Sequence, residues 1–270
     1  MEGPRQIRAA DVSVVVPVRD NPAGVQRFLD ALRFHPTLPG EVIVVDNGSS
    51  PPMRLAESEL TIPVRLIRCE KAGPASARNA GAAVAAGRWL LFADSDCVPT
   101  STLVSGYARH ADGAVAYAGG VASLGQDRLS RYYASQEILV PPSAPHGRPH
   151  YLITANTLIW RTAFEAVGGF DETYREAGGE DVDLGFRLSS VGDLSYAPSS
   201  VVHHDFSDGY RGFVRRFVRY GRGNRALAER HGIDLTPHPF VPNHPTAFNR
   251  VVALLQYGAL AYGYRSGPSR

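Results

Sequence analysis

Along the first hundred residues, short apolar runs broken by Gly, Pro, Asn or Asp alternate with longer stretches whose apolar residues recur every third or fourth position. Val12 to Val16 reads as a β-branched strand stopped at Pro17, and Asn21-Pro22 opens a helix that lines up Val25, Phe28, Leu29 and Leu32 on one face. Glu41 to Asp46 and Val64 to Arg68 read as the second and third strands. Gly73-Pro74 starts an alanine-rich helix through Ala86, and Trp89 to Ala93 forms a fourth strand. Strands alternating with helices predict an α/β fold with a mostly parallel, doubly wound sheet, and such sheets bind ligands at the carboxyl ends of their strands. From about Gly119 the pattern weakens. Arg131-Tyr132-Tyr133 suggests a helix and Pro141 to Pro149 a loop, while Leu184, Leu188 and Val191 are spaced as one face of a helix that begins at Gly178-Gly179-Glu180-Asp181. Beyond it, Gly209 to Arg230 has helical character, with Phe213, Phe217 and Tyr220 near one face among many arginines, and Val251 to Tyr262 is an apolar helix-like segment.

Composition narrows the class. With 44% hydrophobic and 20% charged residues in 270, the chain is globular, and a net charge of +2 argues against a nucleic-acid binder driven by global charge. Cys69 and Cys97 are the only cysteines, too few for a disulfide framework or a cysteine-based zinc site. The segment Met1 to Asp11 lacks the apolar core of a signal peptide, and no apolar stretch reaches the length of a membrane span. A cytoplasmic address is expected, with membrane contact at most peripheral. The C-terminal helices are expected to pack on the rest of the chain or on a second subunit, which makes a homodimer an option.

The chemistry gathers at strand ends. The run Leu90-Leu91-Phe92-Ala93 delivers Asp94 and Asp96 to one face of an extended chain, with Ser95 turned away. Two adjacent carboxylates repel unless a cation sits between them, and Mg²⁺ or Mn²⁺ is held by such acids together with substrate phosphates. The alternative is that both aspartates cap the turn before Pro99. Asp20, Asp46, Asp94 and Asp96 all fall at or beyond strand ends, as a nucleotide-binding crevice requires. Neither a glycine-rich dinucleotide turn nor a P-loop follows the first strand, which disfavours a dehydrogenase and a P-loop enzyme. Glu180 and Asp181 stand in the first turn of their helix, where the helix dipole favours acids whatever their function.

In order, VSVVVPVRDN, EVIVVDNGSS, KAGPASARNAG, LLFADSDCVP, TANTLIWRTAFEAVGGFDE and GGEDVDLGFRL make the chain resemble the family 2 glycosyltransferases, which have the GT-A fold. The resemblance spans about Val12 to Phe206. It implies a GT-A domain over residues 1–206, with a nucleotide-binding half at about 11–98 and an acceptor half at about 99–206, and a helical extension over 207–270. By the same resemblance, Pro17, Val18, Arg19, Asp20 and Asp46 surround the uracil, Arg78 approaches the ribose and diphosphate, and Asp94 with Ser95 orients the nucleotide. Asp96 and His204, rather than His203, hold a divalent Mn²⁺ or Mg²⁺ ion. Asp181 is the base and Glu180 its partner, and Asn156 lines the acceptor cleft. Trp160 is a further acceptor candidate on its own chemistry, since an indole stacks on a sugar ring, with burial in the core as the alternative. The implied activity is inverting transfer of a sugar from a UDP-sugar to a small-molecule, glycan or peptide acceptor. A catalytically silent binding module on the same fold, or a nucleotidyltransferase, is the alternative.

Overall fold

A computed structural model describes residues 6–56, 59–141 and 148–267. In chain order the elements are β1 (Val12–Val18), α1 (Pro22–Leu32), β2 (Glu41–Asp46), β3 (Val64–Arg68), α2 (Pro74–Val84), β4 (Trp89–Ala93), β5 (Cys97–Pro99), α3 (Leu103–Arg109), β6 (Ala116–Ser123) and α4 (Arg128–Ser135). They continue with β7 (Asn156–Trp160), α5 (Arg161–Ala166), α6 (Glu180–Leu188), β8 (Leu194–His204), α7 (Gly209–His231) and α8 (Ala247–Ser266).

One sheet runs in the order β3-β2-β1-β4-β7-β6-β8-β5. The expected parallel arrangement holds from β3 to β4. Past β4 the sheet is mixed: β7 is antiparallel to β4 and to β6, β8 is parallel to β6, and β5 is antiparallel to β8. Strand alternation feeds two cores. Val14, Val16, Val42, Val44 and Leu91 face a layer built from α1, α3, α4, α7 and α8, while Val15, Ile43, Val45, Leu90 and Phe92 face α2, α5 and α6. Gly81 lets α2 lie close on that second face, since a Cβ there would come within 2.4 Å of Val15.

Several boundaries differ from expectation for local reasons. Pro17 does not stop β1. Pairing with β4 ends at Val15 while pairing with β2 continues to Val18, and the carbonyl of Val18 takes the Asn47 N–H on the β2 side. The neighbouring Pro17 nitrogen therefore faces the side where the ladder has already ended, and no hydrogen bond is lost. Helix α2 ends at Val84, because Ala85 is extended. Helix α6 closes after Leu188, where the Ser189 and Ser190 hydroxyls bond back to the carbonyls of Phe186 and Arg187, so Val191 lies outside the helix and is exposed. Of the expected Pro141 to Pro149 loop, residues 142–147 lie outside the described residues.

Phe213 and Phe217 of α7 and Val252 of α8 are buried in the same core as Val14 and Leu91. The core therefore runs without a break past residue 206. No helix among the described residues is long and apolar enough to cross a membrane.

Candidate active site

The carboxyl ends of β1, β2 and β4 present Val18, Asp46 and Ala93 at one edge, and the loops beyond them are tied together by side chains. Asn21 caps α1 by accepting the N–H of Gly24, and its amide donates to the Ser95 carbonyl 3.3 Å away. A Cβ at Gly24 would sit 2.2 Å from that carbonyl, so this glycine permits the start of α1 to press on the Asp94-Ser95-Asp96 turn. Asp20 has φ +55°, donates its N–H to the Ser49 hydroxyl and accepts the N–H of Ser50. Asp46 is buried, with its carboxylate receiving the N–H groups of Ser49 and Met53 and the Arg68 guanidinium. Burial alone would raise its pKa, but these hydrogen bonds outweigh it and hold the group below the ordinary carboxylate range. Asp46 thus organises the loop beyond β2 from beneath.

A cavity of about 460 Å³ opens over this edge, lined by Pro17, Val18, Arg19, Arg78, Asp94, Ser95, Asp96 and His204 of the expected donor residues. Asp20 lies to one side of it, in a neighbouring hollow with Ser49 to Arg54. Asn47, Arg216 and Arg219 are among the lining residues that the sequence reading does not single out. Asn47 accepts the N–H of Gly73 and donates to the carbonyls of Cys69 and Lys71, fixing the entrance to α2. Arg216 and Arg219 come from α7. Arg216 is buried, spreads over the rings of Tyr133 and Phe206 at 5.2 and 5.0 Å, and lies 3.3 Å from Asp208. One of its terminal nitrogens, like the Nε of Arg219, has no hydrogen-bond partner among the described residues. The signal for Arg216 was in the spacing, since residues 213, 216, 217 and 220 share one helical face.

His204 reaches the site because β8 pairs with β5, placing it opposite Cys97. His203, one residue back, pairs with Val98 and projects to the other face. His204 Nδ1 lies 3.1 Å from the Asp205 carbonyl, which can only accept, so this nitrogen carries the proton in the neutral ring. Nε2 then offers a lone pair toward Asp96 Oδ1 at 3.3 Å, a buried oxygen with no hydrogen-bond partner among the described residues. Two acceptors facing each other fit a cation. Burial raises the pKa of Asp96, and His204 opposes the rise. Cys97 also lies within reach, but burial pushes its thiol well up and it bonds to the Ala155 carbonyl, so the site offers one carboxylate and one imidazole. That set, with phosphate oxygens added, suits Mn²⁺ or Mg²⁺.

On the other side of Arg78 lies a second cavity of about 270 Å³, with Glu180 and Asp181 on its wall. Arg78 itself is buried rather than solvated. It donates to Asp94 at 2.9 Å and to Glu180 at 2.8 Å, and its guanidinium lies 5.5 Å from the Phe170 ring. Burial works against its charge, but Asp94, Glu180 and Asp181 more than compensate and raise its pKa. Gly178 and Gly179, with φ +131° and +106°, turn the chain into α6 and rest on α7, where a Cβ at Gly223 would fall 1.9 Å from the Gly178 carbonyl. Glu180 accepts the Gly178 N–H as well as Arg78. Asp181 accepts the N–H groups of Thr154 and Val182. Burial first, and the charge of Glu180 second, push the Asp181 carboxyl up to about 7, with Arg78 opposing. Arg78, Asp94, Ala177, His204 and Tyr220 line both cavities, so the two meet at Arg78.

The two expected acceptor residues are elsewhere. Asn156 is fully buried in β7, its amide bonded to the Tyr107 hydroxyl and to the carbonyls of Gly120 and Ser200. Trp160 stands at the opposite end of β7, paired with Trp89 at the start of β4. A five-residue strand separates that end from the site, so neither residue lines the cleft.

Comparison with known proteins accords with this geometry. A family model described as glycosyl transferase family 2 matches residues 13–171, and one described as the N-terminal domain of galactosyltransferase matches residues 140–203. The pre-mycofactocin glycosyltransferase of Mycobacterium tuberculosis is 36% identical over 234 residues, 82% of this chain and 48% of that protein. The O-antigen biosynthesis protein RfbC of Myxococcus xanthus is 28% identical over 222 residues, 72% of this chain and 17% of that one. The chain thus spans about half the length, or less, of these curated relatives. Among solved structures, the mannosyltransferase PcManGT of Pyrobaculum calidifontis in complex with GDP-Man and Mn²⁺ superposes with a TM-score of 0.58 at 20% identity, covering 96% of this chain and 76% of that one. S. aureus TarS 1-349 in complex with UDP-GlcNAc gives 0.54 at 16%, covering 96% and 92%. These likenesses confirm a GT-A fold, and with more than half of its length matched by the family model, the chain belongs to glycosyl transferase family 2.

Proposed function

We propose that the protein transfers a sugar, with inversion, from a UDP-sugar to a hydroxyl of a small-molecule, glycan or peptide acceptor. The observation that carries this reading is the position of Arg78, which neutralises Asp94 on the donor side and Glu180 on the acceptor side and leaves Asp96 and Asp181 available in separate cavities. Pro17 to Arg19 and Asn47 border the nucleotide, while Asp20 and Asp46 hold the loops around it. Asp96 and His204 would hold Mn²⁺ or Mg²⁺, which when bound offsets the negative charge that develops on the diphosphate as it leaves. Asp181 takes the proton of the attacking hydroxyl, and a carboxyl poised at about 7 matches that task at neutral pH. Glu180 keeps Arg78 and the Gly178 turn in place. A silent binding module has no use for a base so poised. The structural relatives named with GDP-Man and Mn²⁺ and with UDP-GlcNAc support a nucleotide-sugar donor and a divalent ion.

The test is to incubate the protein with Mn²⁺ and UDP-glucose, UDP-N-acetylglucosamine or GDP-mannose and measure released nucleoside diphosphate. UDP release from a UDP-sugar that chelation by EDTA abolishes is expected. No release from any of them, or release only from GDP-mannose, overturns the donor assignment.

A further inference from the structure

Resting on that nucleotide-sugar reading, we infer that Arg216 of α7 is an anchor for the donor's diphosphate, and one that works without the divalent ion. Arg78, the cation to which the sequence points, is already engaged by Asp94 and Glu180. Arg19 is exposed and lies 3.8 Å from Asp20. Arg216 differs from both. It is only 8% exposed, it lies on the wall of the cavity over the strand ends, and one of its terminal nitrogens has no hydrogen-bond partner among the described residues. The other terminal nitrogen is 3.3 Å from the partly exposed carboxylate of Asp208. Leaving a buried charged donor without an acceptor is costly, so the free nitrogen calls for a partner that the chain itself does not supply. Arg219, on the same wall, is less buried, and its unpartnered atom is Nε rather than the end of the fork.

The guanidinium is braced mainly by rings, which position it without cancelling its charge. It lies over Tyr133 and Phe206, and Phe206 is stacked on Tyr133 at 4.1 Å and on His204 at 4.4 Å. One ring thus steadies both Arg216 and the imidazole beside Asp96. Burial works against the charge of Arg216, but its neighbours, Asp208 and Asp96 among them, more than compensate. An anion with several oxygens meets what is left unsatisfied, and a planar guanidinium fork matches the oxygens of a phosphate. During transfer the acceptor oxygen bonds to the anomeric carbon as the bond from that carbon to the diphosphate oxygen breaks. The acceptor proton passes to Asp181, and the electron pair of the broken bond stays with the diphosphate. Arg216 gives up no proton and donates hydrogen bonds to the oxygens on which that charge grows.

NMR titration of uridine, UDP, guanosine and GDP in EDTA, on the native chain and on Arg216→Met and Arg216→Lys, tests the assignment. With no metal present, UDP is expected to bind the native chain about tenfold or more tightly than uridine, the range of a charge-assisted hydrogen bond. Arg216→Met should remove most of that advantage while uridine affinity holds, and Arg216→Lys should restore part of it. A thermal melt identifies a variant that fails to fold, and the comparison of UDP with uridine on the native chain needs neither variant. No diphosphate advantage in EDTA for either nucleotide overturns the inference. So does an advantage that folded Arg216→Met leaves intact, or that Arg216→Lys leaves intact where it alone folds, and so does an equal weakening of uridine and UDP, which would mark a merely structural arginine. An Arg216-dependent advantage of GDP over guanosine, with no binding of UDP, upholds the inference and strikes the UDP assignment instead.

Discussion

Asp94 and Asp96 end a strand, whereas Glu180 and Asp181 begin a helix, and the two pairs differ in everything but their relation to Arg78. The strand pair shares a face because alternate residues do, so its acids lie side by side at the sheet edge. The helix pair is consecutive, and its acids diverge, with Glu180 buried against Arg78 and Asp181 turned to Thr154. Arg78 takes the first member of each pair. Among the described residues the second member of each has no Arg or Lys in contact, and burial raises the pKa of both. One arginine thus sorts four acids into two that hold the architecture and two that are available for chemistry.

The sharpest way to break the symmetry is at the acceptor pair. Asp181→Asn keeps shape and helix-start preference but removes basicity, so transfer is expected to fall about 10²- to 10⁴-fold with UDP affinity retained. Rate and affinity measured on the same preparation separate the two. If Glu180→Gln abolishes transfer and Asp181→Asn does not, the base lies one residue upstream. The pH profile carries the same information. Transfer by the native protein should climb with pH and level off above about 7, as Asp181 loses its proton. The folded state holds that proton more tightly than the unfolded chain, so this group's contribution to stability is present at low pH and is lost as pH rises to about 7. Activity and this part of the stability therefore run in opposite directions, and Asp181→Asn removes the stability trend.

Next in size is the central cation. Arg78→Met leaves Glu180 buried and unpaired, a situation that costs about 3–5 kcal/mol. Urea denaturation should show that loss, and Arg78→Lys should recover only part of it because an ammonium lacks the planar fork that reaches both acids. A variant as stable as the native chain would mean that the two acid pairs are independent.

The smallest effect is expected at the donor pair. Asp96→Asn should weaken Mn²⁺-dependent UDP binding by at least about 10- to 100-fold while leaving metal-free binding in place. Unchanged Mn²⁺ dependence in calorimetry would remove Asp96 from the cation site.

The first four strands were legible because short apolar runs there are set off by turn-forming residues, Asn21-Pro22 after β1, Asn47-Gly48 after β2, Gly73-Pro74 between β3 and β4, and the Asp94-Ser95-Asp96 turn after the Trp89 to Ala93 run. β6 and β8 were not. Gly119 and Gly120 interrupt β6 at its register shift, and Pro198 stands inside β8, so neither shows an unbroken apolar run. Among the site residues, the acids at strand ends could be read from position alone, but the burial of Arg78 could not, since helix periodicity does not distinguish an arginine held by two carboxylates from a solvated one. Asn156 illustrates the opposite failure: a polar residue beside expected site residues was read as facing ligand when it serves the hydrogen bonding of its own sheet. Arg216 was overlooked because arginines surround it on α7, and only its shared face with Phe213 and Phe217 marks it as buried.

That last residue bears on the order in which the site is assembled during synthesis. The strand-end acids, the Asn21 cap and the loop beyond β2 leave the ribosome more than a hundred residues before Arg216 does, and domains begin folding from the amino end at about 5–20 residues per second. For several seconds the nascent sheet carries its carboxylates without the helix that roofs them. Core burial by Phe213 and Phe217 and completion by Arg216 of the cavity over the strand ends then arrive within about one turn of α7. Final folding and closure of this cavity are in that sense a single event, and a chain halted before α7 would present acids to solvent without gaining the pocket around them.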